Sequence, residues 1–250
     1  EYLDGPEVSL FAITDGTTVL PLQPAQDFKR IHDGDVGPNT GGMGAYTPLP
    51  WAPEGLVEEV CASVLQPTVD EMARRGTPFC GLLYAGLALT SRGVRVVEFN
   101  ARFGDPETQP LLALLDATAG PGLGTLLLAA AEGRLHETLQ QAGPPRWLDA
   151  AAVAVVLASR GYPATSSRGD VITGLADASA LDGVSVIHAG TALRTSATGE
   201  AQLVTAGGRV LSVVGVGPSV ADARALVYAG VAKIDFPGMQ FRTDIASNAG

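Results

Sequence analysis

The chain has 250 residues, of which 46% are hydrophobic, and a formal net charge of −10 at pH 7. This length can bury one large or two small cores, and the acidic balance argues against a general nucleic-acid binder, which needs a basic face. No apolar run reaches the length of a membrane span and no signal-type segment opens the chain, so we expect no membrane partner. The chain has two cysteines, Cys61 and Cys80, which we interpret as small core residues. So few cysteines in a chain of this size favour a reducing, cytoplasmic compartment. Because Glu1 opens the chain without an initiator Met, we expect a piece of a longer protein.

In chain order, the first part of the sequence predicts strands mixed with helices. β-branched and alternating runs predict strands at 8–14, 17–22, 79–90 and 94–100, and the Asp15-Gly16 pair predicts a hairpin turn between the first two. Apolar residues at helical spacing predict helices at 53–75 and, interrupted near 120–122, at 110–132.

The residue pattern changes from helical to short strand-like runs around Gly143-Pro144-Pro145, where we place a domain boundary. Beyond it the sequence predicts short strands at 150–158, 171–175, 184–188, 202–205 and 209–216, followed by a helix at 219–234. The prediction is therefore an α+β domain over residues 1–143 and a small β-rich domain over residues 144–250.

One predicted strand, over residues 94–100, leads into three polar residues at alternate positions: Glu98, Asn100 and Arg102. Alternate side chains of an extended strand share a face, so we expect these three to project together. A carboxylate and an amide oxygen side by side suit Mg²⁺, which takes one or two protein ligands and completes its shell with water and phosphate. The arginine adds a rigid donor fork for a carboxylate or phosphate. The pattern indicates nucleotide-dependent chemistry, whereas a solvated strand face with an ion pair is the alternative.

A second segment combines a basic pair, Lys29 and Arg30, with the glycine-rich run Gly37–Gly44 (GPNTGGMG). Glycines allow close backbone approach, so successive amides can form a concavity that binds an anion. The sequence therefore predicts a phosphate-facing loop here, with an ordinary surface turn as the alternative.

Four motifs in order, QDFKR, GPNTGGMGAY, GLLYAGLAL and VEFNARFGDPETQP, closely resemble the phosphoribosylamine–glycine ligase (glycinamide ribonucleotide synthetase) family of ATP-grasp enzymes. The resemblance continues through Gly161-Tyr162-Pro163, Gly169–Val171, Ile187–Thr191 and Gly207–Leu211, and so spans nearly the whole chain. It implies an ATP-grasp lobe, an antiparallel sheet backed by helices, followed by a small β-rich C-terminal domain. It also implies ligation of glycine to 5-phospho-D-ribosylamine through glycyl phosphate, using ATP with Mg²⁺ or Mn²⁺, in purine biosynthesis.

The resemblance also assigns residues to roles. It implies that Glu98 and Asn100 are metal ligands, and that Arg102, with Lys29 and Arg30, is catalytic. It implies nucleotide contacts for Glu1 and Glu7. The remaining residues are implied to lie in substrate- and phosphate-facing loops: Asp27, Asn39, Thr40, Gly41, Gly42, Gly44 and Asp105.

Family members are longer than this chain and begin with a doubly wound domain and a small ATP-grasp lobe. We therefore expect the chain to need that missing N-terminal half for a complete ATP site, and to be inactive alone. Two alternatives stay open: another purine-pathway ATP-grasp ligase, such as a carboxylase, and a non-catalytic binding or assembly module derived from the synthetase.

Overall fold

The chain forms two compact units in a computed structural model that describes residues 2–195 and 199–249. The first unit comprises the segment up to Gln26, Pro48–Gly104 and Leu114–Asp149. The second comprises Asp27–Thr47, Asp105–Ala113 and the segment from Ala150 onward. Each unit is therefore built from segments that are not continuous in the sequence.

The described residues form fifteen strands and seven α-helices. The strands are β1 (Glu7–Asp15), β2 (Val19–Pro21), β3 (Gln26–Asp27), β4 (Arg30–His32), β5 (Val36–Asn39), β6 (Gly44–Thr47), β7 (Cys80–Thr90), β8 (Gly93–Asn100), β9 (Leu115–Asp116), β10 (Arg146–Trp147), β11 (Ala151–Ala158), β12 (Val184–His188), β13 (Thr191–Thr195), β14 (Ala201–Thr205) and β15 (Arg209–Gly217). The helices are α1 (Leu56–Val60), α2 (Gln66–Arg74), α3 (Thr108–Ala113), α4 (Leu123–Ala131), α5 (Leu135–Ala142), α6 (Leu175–Ser179) and α7 (Val220–Val231).

The first unit is organised by an antiparallel sheet with the strand order β2-β1-β7-β8. β1 and β7 are apolar and buried along most of their length, so both faces at the centre of the sheet are covered. α4 packs against both of these strands. β8 lies at the edge and is mostly exposed, which leaves it able to carry polar side chains.

α1 and α2 are joined by a π-helical segment, Cys61–Leu65, that places an extra residue in one turn. The buried residues of this run are Leu56, Val60, Leu65 and Val69. The five-residue interval between Val60 and Leu65 falls in the π-helical segment, so the apolar stripe stays on one side of the run.

The second unit contains a five-stranded sheet with the order β12-β15-β11-β6-β3. β11 is buried at all eight positions, which requires cover on both faces of the sheet. α3 and α7 both pack against β11 and β15 and provide cover. Two hairpins, β4–β5 and β13–β14, accompany this sheet.

The predicted fold class, antiparallel sheet with helices followed by a β-rich region, is confirmed. The strand predicted at 171–175 is wrong: residues 171 and 173 form single bridges, and Gly174, with φ of 80°, precedes α6. Cys80 is not a core residue but is exposed, with its Sγ donating to the carbonyl oxygen of Asp15. No helix in the described part of the chain is long and apolar enough to cross a membrane.

The compact units do not follow a single cut between residues 143 and 144. The last change of unit comes after Asp149, and two earlier segments, Asp27–Thr47 and Asp105–Ala113, belong with the second unit. The physical reason is pairing: β6 hydrogen-bonds to β11, and α3 packs on the same sheet.

Candidate functional site

In the first unit, Glu98 and Asn100 lie side by side near the end of β8. Asn100 Nδ2 donates to Glu98 Oε1 at 2.9 Å. Glu98 is opposite Gly86 of β7, and Asn100 is opposite Tyr84. Directly opposed residues of an antiparallel pair share a face, so both polar side chains project from the Tyr84 face of the sheet.

Gly86 provides the space in which the Glu98 side chain lies. A Cβ added at residue 86 would be 3.2 Å from Glu98 Cγ and 3.4 Å from Tyr84 Cε1. The Tyr84 ring is held in turn by a 3.0 Å hydrogen bond between its hydroxyl and Ser9 Oγ, and it packs 5.0 Å from the Phe11 ring, centroid to centroid. The Tyr84 ring, which lies next to the Glu98 side chain, is therefore held in a fixed position.

The donor set of this pair fits a hard divalent cation. A carboxylate oxygen and an amide oxygen are ligands that Mg²⁺ accepts, with water and phosphate oxygens completing its shell. Among residues 2–195 and 199–249, no group of three or more His, Cys, Asp and Glu side chains is arranged to hold a metal ion. Two protein donors leave the remaining positions of a Mg²⁺ shell to water and phosphate oxygens.

Arg102 does not share the strand geometry that the sequence predicted for it. β8 ends at Asn100, so the alternation of side chains stops before residue 102. Arg102 is exposed, and its Nη1 donates to the carbonyl oxygen of Phe103 at 2.9 Å. The common face predicted for three side chains is confirmed for Glu98 and Asn100 only.

Glu7 is the exposed first residue of β1. It is opposite Ala88, while Ser9 is opposite Gly86, so Glu7 and Glu98 project from the same face of the sheet. Glu1, the other residue expected at the nucleotide, lies outside the described residues.

In the second unit, the basic pair has partners of its own. Lys29 Nζ forms an ion pair with Asp27 Oδ1 at 2.9 Å, and Arg30 Nη1 donates to the Gly37 carbonyl oxygen at 2.7 Å. The Asp27 side chain is only 7% exposed. Asp27 therefore orders the loop by fixing Lys29.

We call residues 37–44 the glycine loop. Its amides donate to protein acceptors: Thr40 N to Lys29 O, Gly41 N to the Tyr162 hydroxyl, Gly42 N to Thr40 Oγ1, and Met43 N to Phe28 O, at 2.7–2.9 Å. The prediction that successive amides form an open anion-binding concavity is therefore wrong for residues 40–43. The physical reason is that nearby carbonyl and hydroxyl oxygens satisfy these donors.

The two ends of the glycine loop belong to strands. Asn39 is exposed on β5 and pairs with Arg30. Gly44 is buried in β6 opposite Val155, and a Cβ there would lie 2.6 Å from the Ala154 carbonyl oxygen. Gly44 thus allows close strand packing, which corrects the expectation that it faces a phosphate.

Asp105 binds Arg209, a residue that the sequence did not single out for a role. Arg209 Nη2 lies 3.1 Å from Asp105 Oδ2, and Arg209 Nη1 donates to the Asp105 carbonyl oxygen at 2.5 Å. Gln109 Nε2 donates to Asp105 Oδ1 at 2.8 Å. Arg209 lies in the Gly207–Leu211 motif, but nothing in its local pattern distinguishes it from a surface arginine.

Arg242 is a second arginine that sequence reasoning missed. Its side chain is only 2% exposed and forms two 2.7 Å bonds to the Asp244 carboxylate, with Asp35 Oδ1 at 3.1 Å. Its guanidinium also donates to Arg30 O at 3.2 Å and lies 5.1 Å from the centre of the Phe28 ring. Partial burial alone would raise the pKa of Asp244, but the bonds and charge of Arg242, together with the bonds from the Gly34 amide and Asp33, lower that pKa to about 2.

Comparison with known proteins places these features in a family. Residues 1–108 match the model of the phosphoribosylglycinamide synthetase ATP-grasp (A) domain, and residues 152–248 match that of the C domain of the same synthetase. The chain belongs to the phosphoribosylglycinamide synthetase family. Membership explains why the four motifs of the first part and those of the second part occur in one chain.

Individual relatives agree with this family. The phosphoribosylamine–glycine ligase of Streptomyces coelicolor is 62% identical over all of this chain, which covers 57% of the length of that ligase. The ligase of Synechocystis is 49% identical over all of this chain, which covers 56% of its length. The crystal structure of the Thermotoga maritima ligase matches with a TM-score of 0.81 at 33% identity, over 98% of this chain and 57% of that one. The chain thus spans little more than half the length of the relatives it matches.

More distant structures share the fold alone. A biotin carboxylase domain of Hydrogenobacter thermophilus 2-oxoglutarate carboxylase, in complex with MgADP and bicarbonate, matches with a TM-score of 0.59 at 12% identity, over 96% of this chain and 48% of that one. This likeness supports the ATP-grasp fold of the family.

Proposed function

We propose that this chain, completed by the rest of the family sequence, takes part in joining glycine to 5-phospho-D-ribosylamine at the expense of ATP. A glycine carboxylate oxygen attacks the γ-phosphorus of ATP, ADP leaves, and glycyl phosphate forms. The amine nitrogen of the ribosylamine then attacks the glycyl carbonyl carbon, phosphate leaves with the acyl oxygen, and the nitrogen loses a proton. The products are glycinamide ribonucleotide, ADP and phosphate.

The observation that carries this proposal is the Glu98–Asn100 pair. Its two oxygens would hold Mg²⁺ or Mn²⁺ on an exposed strand edge, where phosphate oxygens can complete the coordination shell. A cation held by these residues would supply positive charge to offset the charge on the transferring phosphoryl group. The complex of a fold relative with MgADP supports the same class of ligand.

Other side chains supply positive charge and contacts. We assign Arg102, whose guanidinium is exposed just beyond β8, to the acyl phosphate or the glycine carboxylate. We assign Lys29 and Arg30, with Asp105 and the exposed Asn39 of the glycine loop, to the phosphate-bearing substrate. Glu7, which projects from the Glu98 face of its sheet, is assigned to the ribose of the nucleotide.

The relatives' extra length bears on the partners of this chain. It matches only 54–57% of the first curated relatives, so we propose that the rest of the family sequence completes the ATP site. The small-molecule partners are then ATP, glycine and the ribosylamine.

Calorimetric titration of this chain with ATP in the presence of MgCl₂ tests the proposal. Glu98→Gln removes the charge but keeps the size, and we expect it to weaken ATP affinity about tenfold, or about 1.4 kcal/mol. Glu58→Gln, an exposed acid on α1, is the matched control and should leave the affinity unchanged. Equal affinities for the two variants would overturn the metal assignment.

The products distinguish the remaining readings. ADP release that depends on glycine supports the ligase, whereas release that depends on bicarbonate identifies a carboxylase-type relative. If the missing part of the family sequence, added as a separate protein, restores no ADP release, the chain is a non-catalytic module.

A further inference from the structure

Arg209 and Tyr162 bind the two polar groups of one residue in the glycine loop. Arg209 Nη1 donates to the Gly41 carbonyl oxygen at 2.7 Å, and the Gly41 N–H donates to the Tyr162 hydroxyl oxygen at 2.9 Å. The two side chains come from 168 and 121 positions further along the sequence. The place of Gly41 is therefore set by two distant residues of the same compact unit.

The same guanidinium also binds a second motif segment. Besides Gly41, it contacts both the carbonyl and the carboxylate of Asp105. Because a guanidinium presents its N–H donors in one rigid plane, these bonds fix the two segments relative to each other. A Cβ at residue 41 would lie 3.0 Å from Arg209 Cζ, so the absence of a side chain at Gly41 is what lets the guanidinium lie over it.

The Tyr162 ring is equally constrained. A Cβ on Gly208 would be 2.5 Å from Tyr162 Cδ2, so the ring lies directly on that glycine. On the apolar side it packs against a buried cluster of Ile31, Met43 and Ala158. Its hydroxyl is thus presented to the Gly41 amide by a ring that has little freedom.

We propose that Arg209 and Tyr162 are positioning residues that hold the glycine loop and Asp105 in the geometry that binds the phosphate-bearing substrate. This inference rests on the function proposed for the chain, since that function makes the glycine loop a substrate loop. Arg209 acts through the loop: Nη1 is shared by two carbonyl oxygens, and Nη2 faces a carboxylate that balances its charge.

Hydrogen exchange of the backbone amides tests the positioning directly. In Arg209→Ala, we expect the amides of residues 40–43 to exchange about tenfold faster or more, because the loop opens locally without global unfolding. Tyr162→Phe keeps the ring and should speed exchange chiefly at Gly41. Arg194→Ala is the matched control, since Arg194 is an exposed arginine that donates to a backbone carbonyl outside the glycine loop, that of Gly169.

Ligand binding and chemical rescue separate positioning from general stability. We expect the affinity for D-ribose 5-phosphate, a stable analogue of the substrate, to fall about tenfold in Arg209→Ala while MgATP affinity stays within about twofold. Guanidinium chloride at tens of millimolar, far below denaturing concentrations, should restore both slow exchange and affinity in this variant. Sodium chloride at equal ionic strength should not, and neither salt should rescue Tyr162→Phe.

The outcomes are decisive in either direction. Unchanged exchange at residues 40–43 in Arg209→Ala would overturn the proposal, as would a loss of affinity that guanidinium fails to repair. If the unmodified chain binds no ribose 5-phosphate, the function proposed for the loop fails, while the exchange rates still decide whether the two residues position it.

Discussion

The Glu98–Asn100 pair of the first unit and the glycine loop of the second are held in opposite ways. The Glu98–Asn100 bond joins residues two positions apart on an exposed edge strand. The glycine loop and its hairpin are bound by Tyr162, Arg209 and Arg242, which lie 121 to 212 positions away from their partners. The positions of the Glu98 and Asn100 side chains are thus set by residues close in sequence, whereas the conformation of the glycine loop depends on residues far away in the sequence. Changes at the loop should first lower stability, and changes at β8 should first lower ligand affinity.

The largest expected effect is the loss of the Arg242 guanidinium. Arg242→Leu leaves the Asp244 carboxylate, only a quarter exposed, without its partner and removes a donor to Arg30 O. Breaking a buried pair in this way should lower the free energy of unfolding by about 3 kcal/mol, measured by urea denaturation. Arg74→Leu, which breaks an exposed bidentate pair with Glu71, should leave the urea midpoint almost unchanged.

A single methyl group in the glycine loop should come next. Gly42 has φ of +112°, and a Cβ there would be 2.3 Å from Pro106 Cδ, so Gly42→Ala should cost about 2–3 kcal/mol. Gly34→Ala has the same positive-φ problem, at +71°, with no atom within 4 Å, and should cost only about 1 kcal/mol. The difference between the two melting curves isolates the collision. Equal losses would show that the loop can move away from Pro106.

These two regions also explain how far the sequence could be used for prediction. Alternation along a strand depends on the strand alone, so Glu98 and Asn100 were placed correctly, and Arg102 was misplaced only because β8 ends at Asn100. The prediction of an open anion-binding concavity in the glycine loop was wrong because its N–H donors bind protein acceptors such as the Tyr162 hydroxyl. No local pattern reveals which residue 121 positions away will supply an acceptor. The fold class, carried by long motifs, was predictable; the contacts between distant segments were not.

Acidification should weaken the loop's anchor by a smaller amount. The pKa of Asp244 is lowered to about 2 in the folded chain from an ordinary value near 3.8, so the unfolded chain takes up the proton first. The stabilisation is fully present above pH 4 and is lost as the pH falls toward 2, to a total of about 2 kcal/mol. Urea midpoints at pH 5 and pH 2.5 measure it. Asp244→Asn should already be weakened at pH 5 and show a shallower pH dependence, and an unchanged slope would contradict this origin.

The smallest effect on stability, and the sharpest test of the contrast, is expected at Gly86, opposite Glu98. Gly86→Ala places a methyl group 3.2 Å from Glu98 Cγ, but Glu98 is exposed and its flexible side chain can shift, so stability should stay within about 0.5 kcal/mol. The displaced carboxylate should nevertheless weaken Mg²⁺-dependent ATP binding about fivefold, measured by calorimetry.

Gly124→Ala is the control for that substitution. It adds a methyl group to α4, where no atom lies within 4 Å, and should raise stability by about 0.5–1 kcal/mol without changing affinity. If Gly86→Ala instead lost more than about 2 kcal/mol and kept its affinity, β8 would be held as rigidly as the glycine loop. The contrast between a locally ordered Glu98–Asn100 pair and a loop ordered by distant residues would then be wrong, because the packing around residue 86 would hold the Glu98 carboxylate in place.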